Sequence, residues 1–393
     1  MSQKALLVGS SFSAAPIFFA IKRRGIHVSV CGNQQTDPCH QYADASYYFD
    51  YSDRERLLDL VKSENFDFLV PSCNDYSYMS CAWVAERCGF AGFDAFDVAT
   101  ILHNKRYFRE FMGKPSLPSP GAIRVSGDGL VDAEHLRYPL LVKPVDSFSG
   151  RGMTKVHKTE DLARAISDAV RGSRTSEALI EEFVEGNLHS HSAFVQDGEI
   201  VFDVFVDEFC TVYPYQVDCS NHPSFLPESI RQQVRESMSR LVEMLALCDG
   251  ALHTQFIAEG ERFWIIECMR RGPGDLYGSL ITLSTGVDYI DLLVRPYLKE
   301  SIPRGVTYET PKYFGRHTVS RAEPLVNFTF SCSVPARDLR IVALKSSGER
   351  LGAAPYDKLA ILFAEYFSRE DMREYTPRLA SFISIQTPEE YRP

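Results

Sequence analysis

Apolar and polar positions alternate in blocks along the first hundred residues. Short apolar runs at 5–8, 27–30, 47–49 and 66–70 are each separated from the next by polar or helical stretches. Strands that alternate with helices are typical of a parallel, doubly wound sheet. We therefore predict a Rossmann-like N-terminal domain over residues 1–100.

Further along the chain the apolar runs lengthen and occur in pairs. Strands are predicted at 138–142 and 179–184, with a helix over 159–171 between them. A long amphipathic helix over 228–247 then leads into a β-hairpin that spans 252–266. This pattern favours antiparallel sheets with helices packed on them, which is an α+β arrangement.

The hairpin carries polar residues where a buried strand is usually apolar. Glu267 closes its second strand, and Gln255 lies near the end of its first. We predict a three-residue turn centred on Gly260, which sets Gln255 opposite Ile265 and diagonal to Glu267. Diagonal neighbours lie about 7–8 Å apart, so both side chains can reach one cation. A structural ion pair between Glu267 and a nearby arginine is the alternative.

Composition and charge narrow the class of protein. The chain has 393 residues, 45% hydrophobic and 24% charged, as in a globular protein of two or three domains. Its net charge of −10, without a basic block, argues against a nucleic-acid surface. The ten cysteines show neither metal-ligand nor disulfide spacing, and no run has transmembrane length. We expect a cytoplasmic protein without nucleic-acid or membrane partners.

The first strand-to-helix turn does not have the nicotinamide-binding pattern. Residues 9–14 read Gly-Ser-Ser-Phe-Ser-Ala, which lacks the second and third glycines of the dinucleotide fingerprint. The second strand ends at Cys31-Gly32-Asn33, without an acid for a ribose hydroxyl. An oxidoreductase is therefore disfavoured. Asp75, after the fourth strand, faces a ligand or caps the next helix.

Lys143 closes an apolar strand and precedes a loop of small residues at 146–153. A lysine in this position either extends its ammonium group to solvent or binds an anion. The loop offers backbone N–H groups to a phosphate, although no Gly-Lys-Ser/Thr ends it as in a P-loop. A simple hairpin turn is the alternative interpretation of the loop.

Two further segments suggest a nucleotide. Glu181-Glu182-Phe183-Val184 closes an apolar strand, and its main chain and acids suit the edge of an adenine. We predict a nucleoside contact for His189 and assign no role to His191. Lys105, at the start of a short helix over 104–112, is by itself typical of a surface lysine.

In this order, Lys105, Lys143 with its loop, the segment 181–184, Glu267 and Arg271 resemble the ATP-grasp superfamily, over roughly residues 1–300. The spacing is similar to the carbamoyl-phosphate synthase and biotin carboxylase branch, which includes carboxylate–amine ligases. The resemblance implies a combined α/β and α+β fold, with a Rossmann-like domain at 1–100 and an ATP-grasp domain at 101–300 that has 135–190 as its mobile subdomain. The strand-rich pattern of the tail separately predicts a small α+β domain at 301–393.

The resemblance also implies roles for individual residues. The residues implied to bind the nucleotide are Lys105, Lys143, Ser147, Ser149, Gly150, Gly152, Glu181, Glu182, Phe183, Val184 and His189. Glu267 and Gln255 are implied to hold the metal ion. Arg271, and with it Arg270, is implied to steady the acyl phosphate.

Two positions depart from the family pattern. Gln255 stands where the family usually has a carboxylate, and Met269 stands where it usually has an asparagine. Glutamine still offers a carbonyl oxygen to Mg²⁺, whereas the soft sulfur of methionine does not suit a hard cation. Asp275 is a candidate second acid. These departures leave open a non-catalytic relative that binds ATP.

The resemblance implies an ATP-dependent ligase that uses Mg²⁺, with Mn²⁺ as an alternative. A carboxylate would attack ATP to form an acyl phosphate, and an amine would displace the phosphate, with release of ADP. The expected partners are small-molecule carboxylate and amine substrates, and a homodimer is an open alternative for the assembly. The identity of the substrates cannot be inferred from the loop at 209–225, with Tyr213, Tyr215 and Gln216.

Overall fold

The structure is a computed structural model that describes residues 3–113, 117–127, 133, 135–146, 152–326, 328–346 and 348–387. Its N-terminal part is a four-stranded parallel sheet in the order β3-β2-β1-β4. The elements are β1 (Lys4–Val8), α1 (Ala15–Lys22), β2 (His27–Cys31), α2 (Pro38–Tyr42), β3 (Ala45–Tyr47), α3 (Arg54–Glu64), β4 (Phe68–Pro71) and α4 (Asp75–Cys88). This topology confirms the predicted Rossmann-like arrangement.

The second sheet is small and antiparallel, in the order β5-β8-β6-β7. The elements of this region are α5 (Phe96–His103), α6 (Lys105–Met112), β5 (Ala122–Ser126), β6 (Leu140–Pro144), β7 (Thr154–Val156), α7 (Thr159–Gly172) and β8 (Glu177–Glu182). Leu162, Ala165, Ile166 and Ala169 of α7 recur at helical spacing and are buried on this sheet. The predicted α+β pattern is therefore confirmed here.

The third sheet has eight strands, in the order β13-β12-β9-β10-β11-β14-β19-β17. Its elements are β9 (Asn187–Gln196), β10 (Glu199–Phe209), β11 (Cys219–His222), α8 (Glu228–Leu245), β12 (Gly250–Glu259), β13 (Arg262–Met269), α9 (Tyr277–Thr285), α10 (Tyr289–Val294), β14 (Phe314–Val319), β17 (Asp338–Ala343) and β19 (Ala360–Glu365). The remaining elements are β15 (Leu325–Val326), β16 (Thr329–Cys332), β18 (Arg350–Leu351), α11 (Arg369–Tyr375) and β20 (Ile383–Gln386).

This sheet crosses the domain boundary that we predicted after residue 300. Strands β14, β19 and β17 come from the predicted C-terminal domain, yet they are hydrogen-bonded to β11 in one continuous sheet. The sequence pattern shows the strands but not their partners, because pairing depends on contacts that are distant in sequence. The structure therefore does not support a separate C-terminal sheet built from these three strands.

The large sheet has two different faces. The helix face, which carries Phe205, Phe256 and Ile265, packs on helix α8 through one hydrophobic cluster. The opposite face, which we call the cleft face, carries Ser190, Gln255 and Glu267. Its residues alternate along each strand with those of the helix face. Part of the cleft face is covered by α9 and α10, which connect it to the N-terminal sheet through a shared core. Gln255 and Glu267, toward one edge of this face, are half-buried.

No helix in the described part of the chain is both long and apolar enough to cross a membrane.

Candidate active site

Gln255 and Glu267 lie on the same face of the hairpin, as predicted, but the cause is a bulge and not the length of the turn. Its turn has two residues, Gly260 and Glu261, because Glu259 pairs with Arg262, so the predicted three-residue turn is wrong. In that register Glu267 would lie on the helix face, away from Gln255. A β-bulge at Ile266 shifts the pairing by one residue and sets Gln255 directly opposite Glu267. The two oxygen donors therefore share the cleft face.

A stripe of polar side chains continues from this pair across the sheet. Gln255 pairs in register with Ser190 of β9, and its Nε2 donates to Oε2 of Glu208 on β10 at 2.6 Å. On the next two strands, Arg316 donates from Nη2 to Oγ of Ser220 at 2.8 Å. We call this set of cleft-face residues the polar stripe, consisting of Glu267, Gln255, Ser190, Glu208, Ser220 and Arg316. The oxygen ligands of Glu267 and Gln255 lie at one end of the polar stripe, and the guanidinium group of Arg316 lies at the other.

Glu208 and Arg316 were not identified from the sequence. The side chain of Glu208 is 4% exposed and that of Arg316 is 3% exposed. Burial raises the pKa of Glu208, whereas the hydrogen bond from Ser190 and the positive charge of Arg316 act in the opposite direction. The sequence signal for Glu208 is an acid near the end of a strand that also contains Asp203 and Asp207, and this pattern does not reveal its partners.

Lys143 lies in a second buried cluster, at the side of the cleft formed by the small sheet. Its Nζ is 2.7 Å from Oε2 of Glu181, and Nε of Arg109 is 2.7 Å from Oε1 of the same carboxylate. Arg109 also donates to the carbonyl oxygens of Ile265 at 3.2 Å and Ile266 at 2.7 Å. Arg109 was missed by the sequence analysis, and it connects Lys143 to the strand that carries Glu267.

The charges of this cluster are strongly coupled. Burial by itself raises the pKa of Glu181, but the charges of Arg109 and Lys143 outweigh it and bring that pKa to about 2. Burial lowers the pKa of Lys143, and the carboxylate of Glu181 opposes that effect. Two cations surround one anion, so the cluster has a surplus positive charge. A phosphate can complete this balance.

The remaining residues predicted to bind a nucleotide lie near this cluster or outside the described residues. Glu182 accepts from the backbone N–H of Arg137 at 3.0 Å, and Phe183 lies under Nζ of Lys155 at 3.5 Å. Val184 is half-buried, and Gly152 has a φ of +69°. Lys105 begins helix α6, and its charge acts on Lys143. The predicted loop residues Ser147, Ser149 and Gly150 lie outside the described residues.

Arg271 ties the end of the hairpin to the N-terminal sheet. Its Nε and Nη2 each donate to the carboxylate of Asp75 at 2.9 Å, and Nη1 donates to the carbonyl of Cys73 at 3.2 Å. Asp75 is not the cap of helix α4, because the side chain of Asn74 accepts from the N–H of Ser77 there. Burial opposes ionisation of Asp75, but Arg271 outweighs it and holds the pKa of this carboxyl well below its usual value.

Arg270 has a different environment, which corrects its predicted catalytic role. Its Nε lies 2.6 Å from Oδ2 of Asp94, and its terminal nitrogens donate to the carbonyls of Ala251 at 2.6 Å and Cys248 at 2.5 Å. The side chain is 2% exposed. Because the guanidinium nitrogens of Arg270 already donate to these protein groups, Arg270 stabilises the base of the hairpin and does not face the cleft.

Asp275 is also engaged elsewhere, so it does not supply the second acid that we considered. Its carboxylate pairs with Nζ of Lys358 and accepts from the hydroxyl of Thr318 at 3.1 Å. Burial acts against ionisation, but Lys358 outweighs it and lowers the pKa of Asp275. Both partners come from the C-terminal part of the chain, whose approach to the hairpin was not foreseen.

His189, which was predicted to contact the nucleoside, lies on the helix face, whereas Gln255 and Glu267 lie on the opposite face of the sheet. It pairs in register with Phe256, one residue out of phase with Gln255, and its Nδ1 is 2.9 Å from Oδ1 of Asp207. It borders a cavity of about 410 Å³ that is also lined by Asn221 and Arg373. Neighbouring residues of a strand point to opposite faces, so the spacing between Glu181 and His189 does not tell on which face His189 lies.

Among the described residues, one group of three has the geometry to hold a metal ion: Asp218, Cys219 and His317. The carboxylate of Asp218 instead accepts from the backbone N–H groups of Thr211 and Val212. Burial raises the pKa of the Cys219 thiol well above its usual value, which disfavours the thiolate that binds metals. This group is therefore part of the structural framework of the helix face.

Known proteins match both the sequence and the fold. Residues 131–295 match the family described as D-ala D-ala ligase C-terminus. The formate-dependent phosphoribosylglycinamide formyltransferase of Prochlorococcus marinus subsp. pastoris is 25% identical over 308 residues, which cover 77% of each chain. The L-amino acid ligase of Bacillus licheniformis superposes with a TM-score of 0.82 at 17% identity, covering 98% of this chain and 99% of that one.

A further solved structure bears ligands. The biotin carboxylase domain of the 2-oxoglutarate carboxylase of Hydrogenobacter thermophilus, a dimer in complex with MgADP, ADP and bicarbonate, has a TM-score of 0.77 at 19% identity. It covers 98% of this chain and 91% of that chain. The architecture, the matched family and the relatives confirm the predicted resemblance. Residues 131–295 thus match an ATP-grasp domain, and the chain as a whole has the ATP-grasp fold and is similar in sequence to ATP-dependent ligases.

Proposed function

We propose that the protein joins a small-molecule carboxylate to an amine at the expense of ATP, through an acyl phosphate. The observation that carries this proposal is the junction made by Arg109. This side chain contacts Glu181, the partner of Lys143, and also the backbone next to Glu267. A cationic cluster suited to phosphates is therefore joined through one side chain to the strand that carries the oxygen-donor pair suited to a divalent ion.

The residues at the cleft suit magnesium and ATP. Mg²⁺ prefers oxygen ligands, and in nucleotide sites it takes one or two of them from protein and the rest from phosphates and water. Glu267 supplies a carboxylate, and Gln255 supplies a neutral amide oxygen. Lys143 and Lys105 supply positive charge for the phosphates. When bound, the ion would neutralise charge on the transferred phosphoryl group.

The chemistry has two steps. A carboxylate oxygen attacks the γ-phosphorus of ATP, the bond from that phosphorus to the β-phosphate oxygen breaks, and ADP leaves. The amine nitrogen then attacks the carbonyl carbon of the acyl phosphate. Phosphate leaves with the electrons of the carbon–oxygen bond, and the nitrogen releases a proton. Both steps develop negative charge on oxygen, which nearby cations stabilise.

Two arginines are placed to hold the anionic groups. Arg271 is fixed by Asp75 next to the hairpin. Arg316 lies at the end of the polar stripe, and its buried Nε has no hydrogen-bond partner among the described residues. A substrate carboxylate would satisfy this donor, since an unpaired buried donor is unfavourable. We assign Arg316 to the carboxylate substrate and Arg271 to the acyl phosphate.

Release of ADP, measured with a panel of carboxylates and amines, tests the proposal. Lys143→Ala should reduce ADP release by roughly 10²–10³-fold, because a buried cation at the phosphates is lost. Lys158→Ala, an exposed lysine of the same small sheet region, is the matched control and should retain turnover. Thermal unfolding of both variants checks that each is folded. Normal turnover by folded Lys143→Ala protein would refute the assignment.

The second candidate function is nucleotide binding without catalysis, and the substitutions Gln255 and Met269 favour it. Calorimetric titration separates the two. ATP binding that does not depend on Mg²⁺, together with no turnover on the panel, would support the second candidate. Binding that strengthens with Mg²⁺ and turnover with any pair of substrates would support the ligase.

The predicted homodimer and cytoplasmic location stay predictions. The related Hydrogenobacter thermophilus domain is described as a dimer. Sedimentation equilibrium of the full chain would show whether the present protein also assembles in pairs.

A further inference from the structure

We infer that Glu208 is a positioning residue that turns the amide of Gln255 so that its oxygen faces Glu267 and a divalent ion. This inference rests on the proposed ATP-dependent function, because it concerns the ion that accompanies the nucleotide. It explains how a glutamine can serve at this position of the hairpin, and it gives a role to an acid of a different strand.

The orientation follows from hydrogen-bond chemistry. An amide has a donating NH₂ end and an accepting oxygen end, whereas an ionised carboxylate only accepts. Glu208 lies 2.6 Å from Nε2 of Gln255, so the NH₂ end is directed along the stripe toward β10. The oxygen end is then left for the other side, where Glu267 is the register partner of Gln255 on β13. Without Glu208 the amide could adopt either orientation.

The packing around Glu208 makes this bond possible and keeps it in place. Gln255 and Glu208 lie on strands β12 and β10, which are separated by β9. Gln255 pairs with Ser190 of β9, and Glu208 pairs with Leu188 of the same strand, so the bond crosses β9 diagonally on the cleft face. The Oγ of Ser190 lies 3.1 Å from the hydroxyl of Tyr277, and a hydrogen bond from Ser190 also favours the ionised form of Glu208. Since Glu208 is 4% exposed, water competes little for its carboxylate.

The alternative role for Glu208 is direct binding of the ammonium or amino group of a substrate. An isolated carboxylate would suit that role. The carboxylate of Glu208, however, already accepts a short bond from Gln255 and lies within the electrostatic reach of Arg316. The positioning role explains both the bond from Gln255 and the nearby charge of Arg316, whereas the substrate-binding role explains neither.

The test is a two-residue exchange read out by metal affinity. Four proteins are compared by calorimetric titration of ADP at a series of Mg²⁺ concentrations: the wild type, Glu208→Gln, Gln255→Glu, and the double variant. Glu208→Gln should weaken the apparent Mg²⁺ affinity of the ADP complex on the order of tenfold, as expected when the residue that orients a metal ligand is lost. Glu259→Gln, an exposed acid of the same hairpin, is the control and should leave the affinity unchanged.

The double variant makes the test specific. In Gln255→Glu alone, two carboxylates meet at hydrogen-bond distance and repel each other. In the double variant the direction of the bond is reversed, with a carboxylate facing the ion and an amide behind it, so the Mg²⁺ affinity should recover relative to both single variants. Thermal unfolding of each variant confirms that it is folded.

Three outcomes would contradict parts of this scheme. Unchanged Mg²⁺ affinity in folded Glu208→Gln protein, with or without a change in the KM of the amine, overturns the positioning role. Additive losses in the double variant do the same, because coupled residues are not additive. Failure of the wild type to bind ADP in the presence of Mg²⁺ overturns the proposed function as well, and this result is distinguishable from the other two.

Discussion

Both faces of the large sheet carry polar side chains, but the two faces use them differently. On the helix face, His189 pairs with Asp207 and His191 pairs with Asp203, so the charged groups satisfy one another. On the cleft face, Glu267 and Gln255 lie opposite each other with oxygen atoms available to a cation. A polar residue in a strand therefore does not identify a site by itself. What distinguishes the two faces is the partner that each acid meets: a histidine on the helix face, and an amide on the cleft face.

Exchange of a cleft-face acid should give the largest effect on activity. Glu267→Gln removes the one carboxylate of the hairpin pair, and ADP release should fall by roughly 10²–10³-fold because charge on the phosphates is less well neutralised. Stability should change little, since Glu267 is half-buried. A phosphate-release assay measures the loss. Glu261→Gln, in the exposed turn of the same hairpin, is the control, and a similar loss there would argue against a specific role.

Exchange of a helix-face acid should instead affect stability. Asp207 accepts from His189, from Nδ2 of Asn221 and from the backbone N–H of Phe225, the latter two at 2.9 Å. Asp207→Asn places an NH₂ group against these donors, and the free energy of unfolding should fall by about 1–3 kcal/mol. Urea denaturation measures it. If turnover fell as much as in Glu267→Gln while stability held, the distinction between the faces would be wrong.

The cluster around Lys143 should make stability depend on pH. The pKa of Glu181 falls from 4.5 to about 2 in the folded chain, so its ionised form favours folding. The stabilisation is complete above pH 4.5 and is lost as the pH falls toward 2. We expect the midpoint of urea unfolding to decrease across this range in the wild type and to decrease less in Glu181→Gln. Parallel curves for the two proteins would contradict the assignment of this shift to Glu181.

The smallest effect is expected for His189. Since its side chain lies on the helix face, His189→Gln should leave the Kd of ADP within about twofold of the wild type, as for residues away from a binding site. Calorimetric titration provides the measurement. A loss of tenfold or more would restore the nucleoside contact that the sequence suggested and would require a different position for the nucleotide.

Local features of the fold were predictable, and the pairing of distant segments was not. The period of the apolar residues gave the Rossmann-like strands and the long helix, because that period is a property of adjacent residues. The bulge at Ile266 was not predictable, since it depends on how β12 and β13 pair. Lys143 and Glu267 were identified as candidates because each is a charged residue at the end of an apolar strand, and the family resemblance then implied their roles. Glu208, Arg109 and Arg316 were missed because their meaning lies in partners far along the chain.

The same limitation explains the errors for Asp275 and Arg270. Each is an acid or base next to the hairpin, and each looked available in the sequence. In the folded chain Lys358 and Asp94 pair with them. Whether a charged residue near a site is held by a structural partner depends on segments that are distant in the chain, and the sequence does not show those partners.

The continuity of the large sheet has a practical consequence for protein engineering. A shortened chain that stops near residue 300 would lack β14, and the free edge of β11 would then be exposed to other molecules. Such a fragment would also lose Arg316 and the lysine that occupies Asp275. We therefore expect it to aggregate rather than to behave as a minimal catalytic unit.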